Sequence, residues 1–235
     1  MPRLKPSLSY SASRPLFVEH PDEPQFHWSK RGSAFLCAFR GSSYAVLARH
    51  TVAPYKAEQL RIPVHDGFTE FFSSDYHWQP DGADDCHDVF LLRLTTTGND
   101  GDWLGSRAPI APETGAAAAS AFVPGGGLAV SGYPGVGENE IDYERNAIKN
   151  QRFIVEAEYC SSTNGHVHLL KVRQSNVIND FGGYSGGLVM ARFAEGLVPA
   201  GVVITGSAQS SLMRFIDVQG VYLSLENFAA QVDAA

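Results

Sequence analysis

Short apolar runs, each followed by a turn signal, are the feature that most limits how this chain can fold. Residues 33–39 and 44–48 flank a Gly-Ser turn, and residues 152–159 and 166–172 flank an Asn-Gly turn. Two runs joined in this way predict a β-hairpin. Further short runs follow, and only two stretches have a helical pattern: the alanine-rich residues 116–122 and the tail at residues 223–232. We therefore predict a mostly-β protein of two barrel-like lobes.

The boundaries of these lobes are predicted from the places where the strand pattern stops. Residues 1–24 contain prolines and little periodicity, and we interpret them as an irregular arm. Residues 95–115 are rich in Gly, Asn, Asp, Pro and Thr, which favours a crossover between lobes. We expect a first lobe at 25–108, a second lobe at 109–222 and a C-terminal helix at 223–235.

Composition argues against several classes of function. The chain of 235 residues has a formal net charge of −7 and no dense Lys/Arg cluster, so nucleic acid is not an expected partner. No apolar run is long enough to span a membrane, and the N-terminus lacks the apolar segment of a signal peptide. Three widely spaced cysteines favour a reducing, cytoplasmic location without a disulfide framework. No cofactor and no metal site is expected.

Ser185 lies inside the glycine-rich stretch GGYSGG, residues 182–187. Glycine permits positive φ and a close approach of the backbone to a ligand, although such a stretch alone is typical of an ordinary turn. A nucleophilic serine also needs a base and a group that orients this base. His50 ends an apolar run and Asp88 precedes the apolar run 89–94, so both are candidates.

These motifs together resemble those of the chymotrypsin-fold (trypsin-like) serine peptidases, particularly the bacterial members without disulfides. The resemblance runs from about residue 33 to residue 218 and keeps the family's order of His, Asp and Ser, which differs from that of subtilisins and α/β-hydrolases. The matching stretches are residues 32–36, 47–50, 88–94, 132–134, 183–187 and 201–206. The resemblance implies two six-stranded antiparallel β-barrel lobes, to which the sequence pattern adds the C-terminal helix.

The resemblance also implies a role for each candidate residue. Ser185 is the expected nucleophile, and His50 is the base that takes its proton and returns it to the leaving amine. Asp88 is expected to orient the imidazole and to stabilise the imidazolium. The backbone amides of Gly183 and Ser185 are the expected oxyanion hole.

The specificity pocket is less well defined by the sequence. The family's pattern places Asn179 on the floor of the primary pocket, Gly206 on its wall and Ile204 in the strand that pairs with the substrate backbone. A neutral amide on the floor argues against a strict preference for Lys or Arg. Asp180 is adjacent, and a shift of one residue would reverse this inference.

Two residues depart from the family close to the reacting groups. Tyr184 occupies the position where secreted members carry an aspartate that captures a newly cut N-terminus. Activation by that ion pair is therefore not expected, and control would come from loop ordering or from a partner. Arg49 replaces a small residue beside His50.

The sequence predicts a serine endopeptidase that hydrolyses polypeptides through an acyl-enzyme. Two alternatives stay open. One is a pseudo-protease that keeps the fold as a binding module, against which the retention of His50, Asp88 and Ser185 counts. The other is a latent protease controlled by a regulatory protein partner in a bacterial regulatory or defence assembly.

One pair of histidines is a further candidate for a metal site. His166 and His168 are two residues apart on one predicted strand, and imidazoles at this spacing can begin a zinc site. Because no Cys or carboxylate joins them at ligand spacing, we interpret both as exposed strand histidines.

Overall fold

The structure is a computed structural model that describes residues 10–23, 25, 28–53, 55–63, 74–78, 88–94, 107–135, 141–144, 147–148, 151–173 and 180–233. Within these residues the chain consists of fifteen mostly short strands and few helices. The predicted all-β class is therefore confirmed.

The first lobe is a curled sheet of seven strands in the order β4-β1-β2-β3-β6-β5, with β7 paired in parallel to β2. All other pairs in this sheet are antiparallel. Among the described strands, the lobe predicted as a six-stranded barrel is a curled half-barrel. The strands are β1 Ser13–Glu19, β2 Trp28–Phe39, β3 Ser42–Ala48, β4 Leu60–Arg61, β5 Ser74–Trp78, β6 Val89–Leu94 and β7 Ala108–Pro109.

The second lobe is a closed antiparallel barrel of six strands, as predicted, in the order β11-β12-β15-β14-β13-β8. A separate two-stranded pair, β9 with β10, precedes β11. The strands are β8 Gly127–Gly132, β9 Ile141–Asp142, β10 Ala147–Ile148, β11 Phe153–Asn164, β12 Val167–Val172, β13 Leu188–Phe193, β14 Gly196–Ser207 and β15 Leu212–Asp217.

Both predicted hairpins are present. The turn between β2 and β3 consists of Arg40 and Gly41, with φ of 47° and 79°, and it joins the paired residues Phe39 and Ser42. Positive φ at both central positions matches the twist of the flanking strands. The hairpin between β11 and β12 closes at Gly165, whose φ is 47°.

The prediction of an irregular arm over residues 1–24 is wrong for Ser13–Glu19, which form strand β1. This strand pairs with β2 on one side and with β4 on the other. Its apolar residues Leu16, Phe17 and Val18 are all fully buried. The run is too short to show a period, and Pro15 lowered its apparent strand character, so only the tertiary pairing identifies it as a strand.

Alternating side chains of the first sheet are buried on both faces. Ala34, Leu36 and Leu47 belong to a core within the first lobe. Phe35 and Val46 belong instead to the larger core that fills the second lobe. The two lobes therefore share apolar packing across the first sheet, and this packing fixes the strand ends that carry the candidate site.

The α-helices α1 Arg49–Val52, α2 Pro112–Ala119 and α3 Val218–Asp233 are described besides these strands, together with one 3-10 helix, Ala57–Gln59. A helix around residues 116–122 was expected, and α2 begins earlier because Pro112 is favourable in the first turn. The C-terminal helix is present but begins at Val218 rather than at residue 223. Its Phe228 ring packs edge-on against Tyr44 of the first lobe, so α3 bridges the lobes.

Candidate active site

The loop that carries Ser185 takes its shape from glycine. Gly183 and Gly186 have φ of 91° and 84°, which residues with a side chain rarely adopt. A Cβ at Gly186 would lie 1.8 Å from the carbonyl oxygen of Ser33 in β2. The amide of Ser33 also donates to the carbonyl of Ser185 at 2.9 Å. The loop is therefore pressed against the first lobe, and the serine lies at the junction of the two lobes.

His50 and Asp88 come together because β3 and β6 are neighbours in the sheet. Ala48 at the end of β3 pairs with Val89 at the start of β6, so the residues just beyond them meet. The Asp88 carboxylate accepts a hydrogen bond from the His50 amide at 2.9 Å and one from His50 Nδ1 at 2.7 Å. Since a carboxylate can only accept, Nδ1 carries the proton, and Nε2 of the neutral imidazole is an acceptor.

That acceptor faces the serine. His50 Nε2 is 3.1 Å from Ser185 Oγ, so the hydroxyl donates to the imidazole. Ser185 Oγ is also 3.3 Å from the carbonyl of Ile204 in β14. The His50 side chain is 50% exposed, and the array is open to solvent. The three side chains named from the sequence thus form one hydrogen-bonded array, in which the imidazole is placed to accept the serine proton.

The two expected oxyanion donors are oriented by the carbonyls that precede them. The Gly182 carbonyl accepts from the Gly135 amide at 2.9 Å, and the Tyr184 carbonyl accepts from the Gly187 amide at 2.7 Å. In a trans peptide the N–H points opposite to the C=O. The N–H groups that follow, those of residues 183 and 185, therefore point away from these bonds. Within the described chain neither of the two donates a hydrogen bond to protein.

Among the described strands, β14 has an edge without a partner beside Ser185. Its pairing with β13 ends where Val202 meets Leu188, and its pairing with β15 continues to Ser207. Residues 205–207 are exposed. A strand with one unpaired edge can accept an extended peptide as an additional strand. This edge is therefore a site where a polypeptide could lie next to the serine hydroxyl.

Two apolar side chains lie against the face of this edge. A Cβ at Gly206 would be 3.0 Å from Met213 Cγ and 3.2 Å from the ring of Phe181. Both side chains are buried. Asn179, the predicted pocket floor, lies outside the described residues. Asp180 is exposed, and its Oδ1 accepts from the amide two residues later at 2.8 Å, so this carboxylate closes a turn within its own loop.

Tyr184 fills the space beneath the loop. Its side chain is 1% exposed, and it packs so closely on β8 that a Cβ at Gly132 would lie 2.6 Å from its ring. Phe181 contacts it edge-on, with ring centroids 6.2 Å apart. Its hydroxyl has no hydrogen-bond partner in the described chain, and burial raises the pKa of this phenol. The residue is a neutral packing element, so it cannot supply the ion pair of the family aspartate.

Lys30 lies next to the same loop. Its Nζ donates to the carbonyl of Pro134 at 2.9 Å and lies 5.9 Å from the centre of the Tyr133 ring. Burial lowers the pKa of this amine to about 8. A Cβ at Gly183 would meet the carbonyl oxygen of Tyr133 at 2.5 Å, so the segment at residues 133–134 lies against the loop at residues 182–187 (the oxyanion loop). Lys30 is bonded to this segment.

The prediction that His166 and His168 are exposed is wrong for His168, which is 7% exposed. His168 Nε2 and His166 Nδ1 bond the two carboxylate oxygens of Asp217 at 3.1 and 3.0 Å. Tyr159 OH lies 3.1 Å from His168 Nδ1. Asp217 is 49 residues from His168 in the sequence, and only the pairing of β12 with β15 brings them together.

The described part of the chain contains no group of three or more His, Cys, Asp or Glu residues that could hold a metal ion. None of its helices is long and apolar enough to cross a bilayer. Cys37 and Cys160 are free thiols, and the third cysteine, with its neighbour His87, lies outside the described residues.

Comparison with known proteins identifies the fold. The sequence matches no family model and no curated protein sequence. The structure is similar to the crystal structure of a thermostable serine protease, AL20, from an extremophilic microorganism. The TM-score is 0.59 at 15% identity, and the match covers 92% of this chain and 95% of the other. The chain thus has the chymotrypsin-like two-barrel fold that the sequence motifs implied.

Proposed function

We propose that the chain is a serine endopeptidase that hydrolyses peptide bonds through an acyl-enzyme. The observation that carries the proposal is the Asp88–His50–Ser185 array, with distances of 2.7 and 3.1 Å, next to the amides of Gly183 and Ser185, which donate no hydrogen bond within the described chain. The similarity to a solved serine protease supports a hydrolase with a trypsin-like fold. The array supplies base and nucleophile, and the amides supply a site for the developing negative charge.

In the proposed acylation, Ser185 Oγ attacks the scissile carbonyl carbon as its proton moves to His50 Nε2. The carbonyl oxygen gains the electron pair and is held by the amides of Gly183 and Ser185. One such donor contributes about 2.7–4 kcal/mol to lowering the barrier. Asp88 stays ionised and stabilises the imidazolium through its bond to Nδ1. Collapse of the intermediate breaks the C–N bond, and the amine leaves with the proton from Nε2.

In the proposed deacylation, water takes the position of the departed amine. His50 Nε2 accepts a proton from the water as its oxygen attacks the ester carbonyl. The same two amides hold the second tetrahedral intermediate. Collapse returns the proton to Ser185 Oγ and releases the new carboxyl terminus. The exposed location of His50 is consistent with direct entry of this water.

A polypeptide is the proposed substrate because the open edge of β14 lies beside the nucleophile. Pairing with residues 205–207 would hold an extended chain by its backbone and leave its side chains to contact the surrounding loops. Phe181 and Met213, which are buried behind Gly206, give the adjoining wall an apolar character. Main-chain pairing of this kind does not require a single sequence in the substrate.

We further propose that the site is competent without an activating partner. The carbonyls of Gly182 and Tyr184 already accept hydrogen bonds from the amides of Gly135 and Gly187, and Tyr184 packs the space below the loop. The role of a regulatory partner, like the cytoplasmic location, stays a prediction from the sequence.

The test is hydrolysis by the purified chain. We expect a burst of p-nitrophenol from p-nitrophenyl acetate and cleavage within a mixture of random peptides. The Ser185→Ala variant should show neither, while its melting temperature stays close to that of the wild type. If the folded wild type releases no burst and cleaves no peptide, the proposal of a competent endopeptidase is wrong, and the pseudo-protease and latent-protease alternatives replace it.

A further inference from the structure

The geometry points to Ser33 as a positioning residue that holds the oxyanion hole in its working orientation through the carbonyl of Gly183. The inference rests on the proposed function and adds a residue from the first lobe to the machinery. Ser33 is in β2, and it is fully buried although it is polar. Its side chain therefore needs hydrogen-bond partners, and both partners lie in the second lobe.

The direction of these two hydrogen bonds is fixed by chemistry. Ser33 Oγ is 2.8 Å from the amide nitrogen of Tyr133, which can only donate. It is 2.6 Å from the carbonyl oxygen of Gly183, which can only accept. The hydroxyl therefore accepts from Tyr133 and donates to Gly183. If this relay of two hydrogen bonds ran the other way, neither the Tyr133 amide nor the Gly183 carbonyl would have a partner. The direction of both bonds is therefore fixed.

The relay acts on the residue whose amide is the first oxyanion donor. The Gly182 carbonyl is held by Gly135, and the Gly183 carbonyl is held by Ser33. These two bonds fix the peptide units on either side of the Gly183 Cα. Gly183 has φ of 91° and no Cβ, so its own torsions resist rotation less than those of other residues. Without the Ser33 bond, the second peptide unit keeps only the hydrogen bond from the Tyr184 amide to the Phe181 carbonyl, which is 3.2 Å long.

Ser33 also holds the nucleophile itself from the other side. Its backbone amide donates to the Ser185 carbonyl at 2.9 Å, and its carbonyl lies against Gly186. One residue thus contacts the loop through three groups: its amide, its carbonyl and its hydroxyl. The backbone contacts persist in any substitution, so a side-chain variant isolates the hydroxyl relay.

Ser13 provides a matched control. It is also fully buried, and its hydroxyl also bridges the lobes, because Ser13 Oγ donates to the carbonyl of Ser131 at 3.2 Å. It makes no contact with the loop at residues 182–187 in the described hydrogen bonds. Ser13→Ala therefore removes one buried inter-lobe hydrogen bond without removing a bond to the oxyanion loop.

The test separates ground-state binding from the chemical step. In Ser33→Ala we expect the maximal acylation rate constant with p-nitrophenyl acetate to fall roughly 10- to 100-fold, since an oxyanion donor is misplaced rather than removed. The apparent dissociation constant of the ester should change less than about twofold, because the interaction matters only in the transition state. The affinity for phenylboronic acid, which forms a tetrahedral adduct with the serine, should fall by the same factor as the rate.

Several outcomes would overturn the inference. One is an unchanged acylation rate in Ser33→Ala; another is an equal loss in Ser13→Ala, which would indicate general loosening of the lobes. If Ser33→Ala does not fold, Ser33→Cys replaces it, because a thiol is a weaker donor of similar size and should give an intermediate rate; a wild-type rate there also overturns the inference. A wild type that forms no acyl-enzyme removes the proposed function itself and this inference with it.

Discussion

The described part of the molecule contains two arrays of hydroxyl, imidazole and carboxylate with similar hydrogen-bond lengths, in which the two ring nitrogens exchange roles. In one, Ser185 Oγ is 3.1 Å from His50 Nε2, and His50 Nδ1 is 2.7 Å from Asp88. In the other, Tyr159 OH is 3.1 Å from His168 Nδ1, and His168 Nε2 is 3.1 Å from Asp217. In both, the carboxylate can only accept, so with a neutral imidazole the hydroxyl donates to the ring.

The two arrays differ in their surroundings. The His50 side chain is 50% exposed, whereas that of His168 is 9% exposed. The rings of Phe122 and Phe215 lie against His168, with centroids 4.7 and 5.3 Å away. Burial, and next the charge of Asp217, raises the pKa of Tyr159, so its hydroxyl holds its proton more tightly.

The two carboxylates are also used differently. Asp217 bonds two imidazoles and accepts from the Gly220 amide at 2.7 Å, which makes it the N-terminal cap of α3. The Asp88 carboxylate bonds the backbone amide and the side chain of a single residue, His50, within the described chain. The array at His50 is thus open to solvent, whereas the array at His168 joins helix α3 to the second barrel.

The largest expected difference between the arrays is in turnover. Asp88→Asn should lower kcat by about 10⁴-fold, because the amide stabilises the wrong imidazole tautomer. Asp217→Asn should leave kcat within about twofold of the wild type, since no step of the proposed reaction uses it. Initial rates with p-nitrophenyl acetate or a cleaved peptide measure both. A large loss of kcat in a folded Asp217→Asn variant would mean that the second array also serves the reaction.

The free energy of unfolding should depend on Asp217 although kcat does not. Asp217→Ala removes a helix cap and leaves the buried His168 without its acceptor, so we expect a loss of about 2–4 kcal/mol in the free energy of unfolding. Glu226→Ala is the control on the same helix, because Glu226 pairs with the exposed Arg40. An exposed pair contributes at most about 1 kcal/mol. Urea unfolding compares the two variants, and equal losses would argue against a supporting role for Asp217.

Lys30, next to the loop at residues 182–187, makes the free energy of unfolding depend on pH. Its pKa is about 8 in the folded chain and 10.5 when unperturbed, because burial disfavours the charge. Between these values the unfolded chain holds a proton that the native chain has released. The contribution of Lys30 to stability therefore rises with pH across this window.

The measurement is urea unfolding of the wild type and of Lys30→Met from pH 7.5 to pH 9.5. The free energy of unfolding of the wild type minus that of Lys30→Met should increase as pH rises. A difference that stays constant would mean that the amine is hydrated and that its pKa is not lowered.

The smallest effect is expected at Tyr184. Its buried hydroxyl has no partner in the described chain, and an unpaired buried polar group is unfavourable. Tyr184→Phe should therefore raise the free energy of unfolding by about 1 kcal/mol and leave kcat unchanged. Thermal unfolding and ester hydrolysis check this. A loss of activity would show that the hydroxyl, and not only the ring, supports the oxyanion loop.

The sequence predicted the parts of this molecule that depend on local pattern. The hairpin at Arg40 and Gly41 follows from its turn residues. His50 and Asp88 are candidates because each lies at one end of an apolar run, and the family resemblance implies that they meet. The closed second barrel and the C-terminal helix were also predicted. The catalytic roles of His50, Asp88 and Ser185 stay predictions, because the positions of these residues do not by themselves show a reaction.

The parts that were missed depend on contacts between distant segments. Strand β1 is identified by its pairing and not by its short apolar run. Ser33 was noted only as part of a motif, because the sequence cannot show that its hydroxyl meets Gly183, 150 residues later. The bond between His168 and Asp217 depends in the same way on the register of β12 and β15.

Labelling with a fluorophosphonate tests the central claim most directly, because this reagent needs an activated hydroxyl and an oxyanion site but little substrate specificity. Intact-mass measurement followed by peptide mapping should find one adduct per chain, on Ser185, and none on Tyr159. The adduct should be lost in Ser185→Ala and should form far more slowly in Asp88→Asn. A folded wild-type chain that gains no adduct, or gains it elsewhere, would contradict the account.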